Sequence, residues 1–423
     1  MAMARFNRAS IAGAGLAGLA AASALAEAGV PVALSDSAAR AGGRCRSYFD
    51  AALGLTIDNG NHLVLASNPA VAAFRRRVGA TTPLAGPEHA DFAFIDLASG
   101  ERWTLRLNDG PLPWWVLVPG RRVPGTQAAD YLALSRLLTP RAGETIGERI
   151  TPAGPLWEKM LHPVLLAVLN TEPAESDATL AANVLKETLA KGGRASAPRI
   201  AMPDLAHCFI DPAVGWLAAH GVPLATGRRL KALEYADGRV AALEWADGRQ
   251  DVAADEAVIL AVPPWVAEGL VPGLAVPTDH RSILNAHYAI AAPAGTPAML
   301  GVVGGLAEWI FCHEGRVSVT ISGADRLIDA PREELAARIW ADVAAALGLA
   351  GAMPAWQIVK EKRATFAATP AQNARRPGQA TGFANLFLAG DWVQNGLPST
   401  IEGALRSGEN AARLVLGRPP AYG

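Results

Sequence analysis

The glycines near the start of the chain are the residues whose spacing most clearly indicates chemistry. They form the pattern Gly13-Ala14-Gly15-Leu16-Ala17-Gly18, which follows a short β-like run at residues 8–12 and opens an Ala/Leu-rich helix. In such a unit Gly13 permits a tight turn, Gly15 lets the backbone approach a pyrophosphate, and Gly18 allows the helix to pack closely on the strand. The N-terminus of the helix favours negative charge. The spacing therefore predicts a nucleotide phosphate site at this turn.

A carboxylate and a second glycine pair follow the turn. Asp36 ends the strand VALSD, 18 residues after Gly18, where a carboxylate binds ribose hydroxyls. Gly42-Gly43-Arg44 comes next, and its guanidinium offers a forked donor to phosphate. Taken singly, these residues also suit a Gly/Ala-rich helix start and a surface turn with a solvated arginine. Together they favour FAD, because FAD is longer than NAD and is buried along its length.

A third motif lies near the far end of the chain. A buried strand ends in Gly390-Asp391, where a carboxylate could bind the ribityl chain of a flavin, and a helix begins near Thr400 and Ile401. The N–H groups of that helix would stabilise negative charge on the flavin ring. A capped C-terminal helix accounts for the same residues, so spacing alone leaves both interpretations open.

Several further elements must position these motifs. At 423 residues the chain exceeds the size at which one hydrophobic core stops growing, so two domains are expected. No low-complexity linker separates them, which favours interleaved domains. The predicted elements are strands within 53–66 and 92–107, a helical region over 126–191, a β-meander over 221–262, an amphipathic helix over 331–348, a buried strand over 386–390 and a final helix over 400–415.

Composition limits the classes of function. Hydrophobic residues make up 51% of the chain and charged residues 18%, which excludes disorder and favours a large apolar cavity or a patch that touches a membrane. The net charge of −1 offers no basic surface, so no nucleic-acid partner is expected. The scattered Cys45, Cys208 and Cys312 predict neither a disulfide framework nor a metal site.

The chain shows no sign of a membrane span or a secretory signal. Residues 1–10 lack an apolar core, and the apolar runs at 111–119 and 160–169 are shorter than the roughly 20 residues that a spanning helix needs. Prolines interrupt the longer stretch at 283–303. A cytoplasmic protein is expected, and a peripheral position at the inner face of the cell membrane stays open.

The order of these motifs resembles the flavin amine oxidase and phytoene desaturase superfamily from residue 10 to residue 415. Finer features are similar to its branch of squalene-associated hydroxysqualene dehydroxylases. Those features are Asp58-Asn59-Gly60-Asn61-His62, Pro155-Leu156-Trp157, Leu169-Asn170-Thr171, Glu361-Lys362-Arg363-Ala364-Thr365-Phe366, and Ala389-Gly390-Asp391-Trp392 followed by Gly396-Leu397-Pro398.

The resemblance implies an α/β fold in which an α+β substrate domain is interleaved with a Rossmann-type FAD-binding domain. The FAD-binding domain would comprise residues 1–70, 200–275 and 375–423, and the substrate domain residues 71–199 and 276–374. FAD would be bound non-covalently, with Asp36 where the family more often has Glu, Leu230 beside the adenine and Val262 closing over the ADP. The residues expected to bind FAD are Gly13, Ala14, Gly15, Leu16, Ala17, Gly18, Asp36, Gly42, Gly43, Arg44, Asn59, Gly60, Leu230, Val262, Gly390, Asp391, Thr400 and Ile401.

The resemblance further implies that reduced flavin delivers hydride to hydroxysqualene, an apolar C30 isoprenoid, as water leaves. A separate, unidentified reductant must supply electrons to the flavin. His62 or Asp58 is the candidate to provide or relay the proton, although Asp58 could merely cap a turn and His62 could only orient the flavin. Lys362 is a weaker candidate for a lysine that faces the flavin, since it lies in a charge run typical of solvated side chains.

Alternatives remain at this stage. A carotenoid or isoprenoid desaturase or an amine oxidase of the same superfamily would run the flavin in the opposite direction, and a prenyl-protein-binding escort-type protein would have the fold without redox chemistry. Trp114 and Trp115 either touch a membrane or belong to the core. Trp157 and Leu166 suit a substrate tunnel and a core equally well.

Overall fold

The computed structural model describes residues 6–422. Residues 1–5 and 423 lie outside the described residues. They belong to the outer ends of the predicted FAD-binding domain, and residues 1–5 also belong to the segment in which no secretory signal is expected. The strands are β1 Arg8–Ala12, β2 Val32–Ser35, β3 Ser47–Asp50, β4 Leu55–Asp58, β5 Leu63–Leu65, β6 Leu84–Ala85, β7 Asp91–Asp96, β8 Arg102–Arg106, β9 Pro198–Ala201, β10 Leu224–Ala225, β11 Leu230–Ala236, β12 Arg239–Trp245, β13 Gly248–Asp251, β14 Glu256–Leu260, β15 His280–Tyr288, β16 Met299–Val303, β17 Trp309–His313, β18 Arg316–Ile321, β19 Trp356–Phe366 and β20 Leu386–Leu388.

Helices connect these strands and cover the sheets. They are α1 Leu16–Glu27, α2 Pro69–Arg77, α3 Leu132–Leu137, α4 Ile146–Arg149, α5 His162–Leu169, α6 Ala178–Glu187, α7 Asp211–Ala219, α8 Pro264–Leu270, α9 Arg332–Leu347, α10 Pro370–Asn373 and α11 Ile401–Val415. Single π-helical turns, Trp157–Leu161 and Ala206–Ile210, precede α5 and α7. Among residues 6–422, none of the helices combines the length and apolar character that a bilayer span requires.

A parallel five-stranded sheet gathers segments from both ends of the chain. Its strand order is β10-β2-β1-β14-β20, so β1 pairs with β2 on one side and with β14 on the other. Helix α11 packs against α1 so closely that a Cβ on Gly408 would collide with the carbonyl oxygen of Ala17. Residues from the two termini therefore share one core.

An antiparallel seven-stranded sheet, with one parallel pair, forms the second layer. Its order is β19-β15-β18-β17-β16-β7-β8, and side chains alternate between its two faces. One face, including Leu284, Val319 and Ile321, packs on the apolar side of α9. The opposite face carries polar residues such as Asn285 and Thr320 and turns toward the parallel sheet. Helix α9 is the amphipathic helix predicted over 331–348, and its apolar side covers this face of the sheet.

Two features differ from the sequence-based expectations. The segment 221–262 is not one meander: β11, β12 and β13 form a three-stranded antiparallel sheet, whereas β10 and β14 join the parallel sheet. The apolar residues of β14 are all buried, which suits the centre of a parallel sheet. In addition, the predicted domain boundary at residue 70 falls inside α2, whose Val71 and Phe74 pack in the core of the parallel sheet.

Candidate active site

One cavity of about 1100 Å³ lies between the two sheets, slightly larger than the range of about 300–1,000 Å³ typical of ligand sites. Its wall changes character along its length. One end is built of glycine-rich turns and polar groups at the carboxyl ends of the parallel strands. The other end is apolar, with the side chains Phe92, Leu105, Met160, Leu161, Val164, Leu165, Val168, Val266, Leu270, Met299, Trp309 and Phe311.

The three glycines of the first turn serve different purposes. A Cβ on Gly18 would collide with the carbonyl oxygen of Gly13, and a Cβ on Gly13 would collide with that of Ala261. These two glycines allow α1, β1 and the end of β14 to meet. Gly15, in contrast, lines the cavity and a Cβ there would meet nothing within 4 Å. Protein packing does not require glycine at this position, so the open space fits a pyrophosphate that approaches the backbone.

Asp36 holds the turn in place from the end of β2. Its carboxylate accepts hydrogen bonds from the backbone N–H of Ala14 at 2.6 Å and of Ala38 at 2.7 Å. The N–H of Gly42 in turn donates to the carbonyl of Ala14 at 2.8 Å, which brings the second glycine pair beside the first. Asp36 lines the cavity, and a carboxylate has lone pairs left for ribose hydroxyls.

Arg44 and Asp391, which lie 347 residues apart, form an ion pair in the cavity wall. The guanidinium donates to the Asp391 carboxylate at 2.5 Å and to the carbonyl of Ala364 at 2.6 Å. Burial alone would raise the pKa of Asp391, but the charge of Arg44 and its hydrogen bond hold the pKa below its usual value. Arg44 lines the cavity, as expected of an FAD-binding residue, and Asp391 balances its charge there.

The loop from Asp391 to the start of α11 is fixed by one buried arginine. The guanidinium of Arg376 donates to the backbone carbonyls of Asp391, Trp392, Val393 and Leu397 and to the side chain of Asn395. Thr400 caps α11 by accepting from the N–H of Gly403 at 3.0 Å. Because Thr400 and Ile401 line the cavity, the positive end of the α11 dipole lies at its wall.

The segment after β4 is divided between the cavity and the protein interior. Asn59, Gly60 and His62 line the cavity, whereas Asp58 does not. Asp58 is 2% exposed and accepts hydrogen bonds from the Ser47 hydroxyl at 2.6 Å and the Leu205 N–H at 3.0 Å. Asp58 is expected from the sequence to provide or relay the proton or to cap a turn; its carboxylate lies behind the cavity wall and anchors the segment.

Charge and solvent exclusion act on two neighbouring parts of this segment, Asp58 and His62. Arg316, 3% exposed, lies 3.8 Å from the Asp58 carboxylate. Burial lowers the pKa of His62 to about 4, which outweighs a hydrogen bond to the backbone of Arg44 that would raise it. His62 is therefore a neutral imidazole at physiological pH.

The structure places most of the predicted site residues together. All eighteen residues expected to bind FAD line the cavity except Ala14, which binds Asp36, and Gly18, which packs against Gly13. Lys362 lies outside, exposed beside Asp329, and Trp157 belongs to the core. Cys45 is a buried free cysteine, and burial raises the pKa of its thiol.

The sequence interpretation missed the polar residues that the seven-stranded sheet contributes. Asn285, Thr320 and Ser322 line the cavity, and their alternation with apolar residues in ILNAHY and SVTIS is visible in the sequence. Alternation indicates a shared face within each strand. It does not indicate which strands are neighbours, so these side chains could not be grouped in advance.

Substitution of Gly15 by alanine tests whether the open space at the first turn serves a cofactor. Gly15 has an extended conformation that alanine adopts freely, so the Gly15→Ala variant should fold like the wild type and bind FAD about 10- to 100-fold more weakly. FAD titration of the stripped protein, followed by flavin fluorescence, measures this. Gly215→Ala is the matched control, since its Cβ also meets nothing within 4 Å. Equal affinities in the two variants would contradict the assignment.

Comparison with known proteins agrees with this geometry. The family model for flavin containing amine oxidoreductases matches residues 16–416. Hydroxysqualene dehydroxylase of Rhodopseudomonas palustris is 51% identical over 96% of this chain and 97% of its own length, and that of Sinorhizobium fredii is 48% identical over 96% and 97%. Cyclohexylamine oxidase from Brevibacterium oxydans, at 16% identity, shares the fold with a TM-score of 0.71 over 97% of this chain and 99% of its own. The chain is thus an FAD-dependent oxidoreductase that belongs to the flavin-containing amine oxidoreductase family, in the group of the hydroxysqualene dehydroxylases.

Proposed function

We propose that this chain catalyses the reductive dehydroxylation of hydroxysqualene to squalene. In this reaction the C–O bond breaks, a hydride takes the place of the hydroxyl group, and the hydroxyl leaves as water after it gains a proton. The observation that carries the proposal is the cavity, in which an FAD-type turn and a large apolar wall are continuous. The names of relatives at 48–51% identity support the same substrate.

Bound FAD in its reduced form supplies the hydride. The protein has to hold a long hydrocarbon, keep water away from the reacting carbon and tolerate positive charge there as the C–O bond breaks. Apolar side chains from α5 and the seven-stranded sheet serve the first two needs. The aromatic rings of Trp309 and Phe311 serve the third, because the face of an aromatic ring attracts a cation.

His62 acts as a neutral group in this proposal. With a pKa of about 4, the charged imidazolium would be present in only about one molecule in a thousand at pH 7. The ring is therefore better suited to hydrogen bonding than to donating a proton as a charged acid. Asp58 keeps His62 in place indirectly, by anchoring the strand end from which the segment starts.

The competing oxidative functions make different demands on the cavity. An amine oxidase would place aromatic side chains on both sides of its substrate at the flavin. Trp392 lines the cavity, but its indole N–H is bound to the carbonyl of Val262 at 2.9 Å, which holds the ring against the wall. A desaturase would share the apolar cavity, so the direction of the reaction has to separate it from a dehydroxylase.

Anaerobic turnover provides that test. Protein reduced with dithionite and mixed with hydroxysqualene should reoxidise its flavin and form one squalene per flavin, because each conversion consumes one hydride. Stopped-flow absorbance follows the flavin, and mass spectrometry quantifies squalene. Oxidised protein incubated with squalene is the control for the reverse direction. Dehydrogenated products from that control, with no squalene from the reduced enzyme, would replace the proposal with a desaturase.

The pH dependence of the same assay tests the role of His62. If His62 works as a neutral hydrogen-bonding group, the rate ratio of wild type to His62→Gln should stay constant between about pH 6 and pH 8, because the imidazole does not titrate there. His62→Ala should be slower by about tenfold, the effect of one lost hydrogen bond. A ratio that falls steadily as the pH rises would show instead that the charged imidazolium donates the proton.

We also propose that this protein meets its substrate at a membrane surface. The side chains Leu112, Trp114, Leu117 and Val118, here called the 112–118 patch, are 76%, 51%, 68% and 39% exposed. Trp115, in contrast, is 3% exposed and packs on Tyr131. Trp115 therefore belongs to the core, whereas Trp114 lies on the surface.

Charge near the 112–118 patch supports a bilayer as its partner. The guanidinium of Arg121 lies 4.9 Å from the centre of the Trp114 ring, and Arg122 follows it in the chain. Asn108 anchors the segment through the Trp115 N–H at 3.0 Å and the Leu112 carbonyl at 2.9 Å. Apolar side chains flanked by arginines suit the interface of an anionic bilayer.

Co-sedimentation with vesicles tests the membrane proposal. The double variant Trp114→Ser/Leu117→Ser should bind phosphatidylglycerol–phosphatidylcholine vesicles at least about tenfold more weakly than wild type, because two exposed apolar side chains no longer enter the bilayer. Phe49→Ser is the matched control, since Phe49 is 66% exposed in another part of the molecule. Unchanged vesicle binding by the double variant would show that the 112–118 patch is not the membrane-binding surface.

A further inference from the structure

A row of polar side chains crosses the seven-stranded sheet where it faces the cavity. Trp309 of β17 is directly opposite Thr320 of β18, and Thr320 is opposite Asn285 of β15. Residues opposite one another in antiparallel strands point to the same face. Asn61, from the segment after β4, lies over this row, and all four residues line the cavity.

The hydrogen bonds in this row have a fixed direction. The Asn285 Nδ2 group donates to the backbone carbonyl of Asn59 at 3.2 Å, and a carbonyl can only accept. The Oδ1 atom of Asn285 must therefore be the acceptor for the Thr320 hydroxyl at 2.7 Å. The Thr320 oxygen then accepts from the Nδ2 group of Asn61 at 3.0 Å. The chain of donors leaves only one orientation for the Asn61 carboxamide.

That orientation leaves the Oδ1 atom of Asn61 without a donor. It is buried and has no hydrogen-bond partner among residues 6–422. A buried acceptor without a partner destabilises the structure, so its presence in a cavity wall points to a donor supplied by a ligand. The indole N–H of Trp309 is likewise buried and unpartnered within the described chain. One acceptor and one donor thus remain unused in a mostly apolar wall.

An alcohol on a hydrocarbon has the complementary chemistry. Its hydroxyl group donates one hydrogen bond and accepts another, while the rest of the molecule needs only apolar contact. A hydrocarbon without the hydroxyl group could satisfy neither Asn61 nor Trp309. A site with buried polar groups discriminates strongly against an analogue that leaves them unpaired.

We propose that Asn61 is the residue that recognises the hydroxyl group of the substrate, with its Oδ1 atom accepting the hydrogen bond. The inference rests on the proposed function and deepens it. Thr320 and Asn285 are positioning residues, since they determine which end of the carboxamide is free. Because Oδ1 is buried, binding of the alcohol requires a small shift of the Asn61 side chain that exposes Oδ1 to the cavity and keeps the Nδ2 hydrogen bond to Thr320.

This assignment also explains how product leaves. Squalene lacks the hydroxyl group, so conversion removes the hydrogen bond to Asn61 and leaves only apolar contacts. The alcohol should therefore bind more tightly than the hydrocarbon by about tenfold, which is the effect of one neutral hydrogen bond near the upper end of its range. The same bond would hold the C–O group beside the segment of Asn59 and Gly60, which also lines the cavity.

Binding to the oxidised holoenzyme tests the proposal, because oxidised flavin cannot reduce the alcohol. Titrations with hydroxysqualene and with squalene, followed by perturbation of the flavin absorbance, give two dissociation constants for each variant. Asn61→Leu should weaken binding of hydroxysqualene by about tenfold and change binding of squalene by less than about twofold. Thr320→Val should weaken alcohol binding selectively to a smaller extent, and Thr320→Ser, which retains the hydroxyl, should restore it.

Thr365→Val is the matched control, because the Thr365 hydroxyl also lies in the cavity wall but accepts from Asn170 at 2.9 Å. It should leave the ratio of the two dissociation constants unchanged. Equal weakening of both ligands by Asn61→Leu would overturn the proposal in favour of a packing role, and unchanged binding of both would overturn it outright. Loss of FAD affinity in Asn61→Leu would also overturn it, since Oδ1 would then serve the flavin. Wild-type turnover separately decides the proposed function.

Discussion

The close approach of three backbone segments at Gly13 is the constraint on which the rest of the structure depends. The carbonyl oxygens of Gly13 and Ala261 occupy the positions that side chains at residues 18 and 13 would need. Only glycine lets α1 lie against β1 while β14 arrives alongside. Once β1 is paired with β14, residues separated by almost 250 positions share one edge of the sheet. The cavity, the turn that faces it and the loops that close it all begin at this edge.

Buried charges then determine where those loops lie. Arg44 and Asp391 neutralise each other across 347 residues, and Arg376 binds the carbonyls of the loop that follows β20. Such pairs add little net stability, because the desolvation of the charges offsets their attraction. Their value here is geometric. Each guanidinium presents several donors in a rigid plane, so the loop on either side of Asp391 has few alternative arrangements.

The seven-stranded sheet divides its work between two faces. One face packs on α9 and provides the core of the substrate layer. The other provides the apolar wall of the cavity, the polar row from Trp309 to Asn285 and, farther along, the interior contact between Arg316 and Asp58. Because the period of a strand is two residues, a single sequence can serve both faces. A shift of one residue in register would exchange core and cavity.

The sequence by itself determined the nucleotide turn, the acid at Asp36, the glycine pair before Arg44 and the capped helix at Thr400. Each of these features depends on backbone conformation or capping within a few residues, and the residue types at those positions indicate that conformation directly. Tertiary structure alone decided that β14 leaves the meander to join β1 and that Asp58 faces the interior. It also paired Arg44 with Asp391, separated Trp114 from Trp115 and brought Asn61 over Thr320 and Asn285. These outcomes depend on which distant segments meet and in which register, and no local pattern encodes that choice.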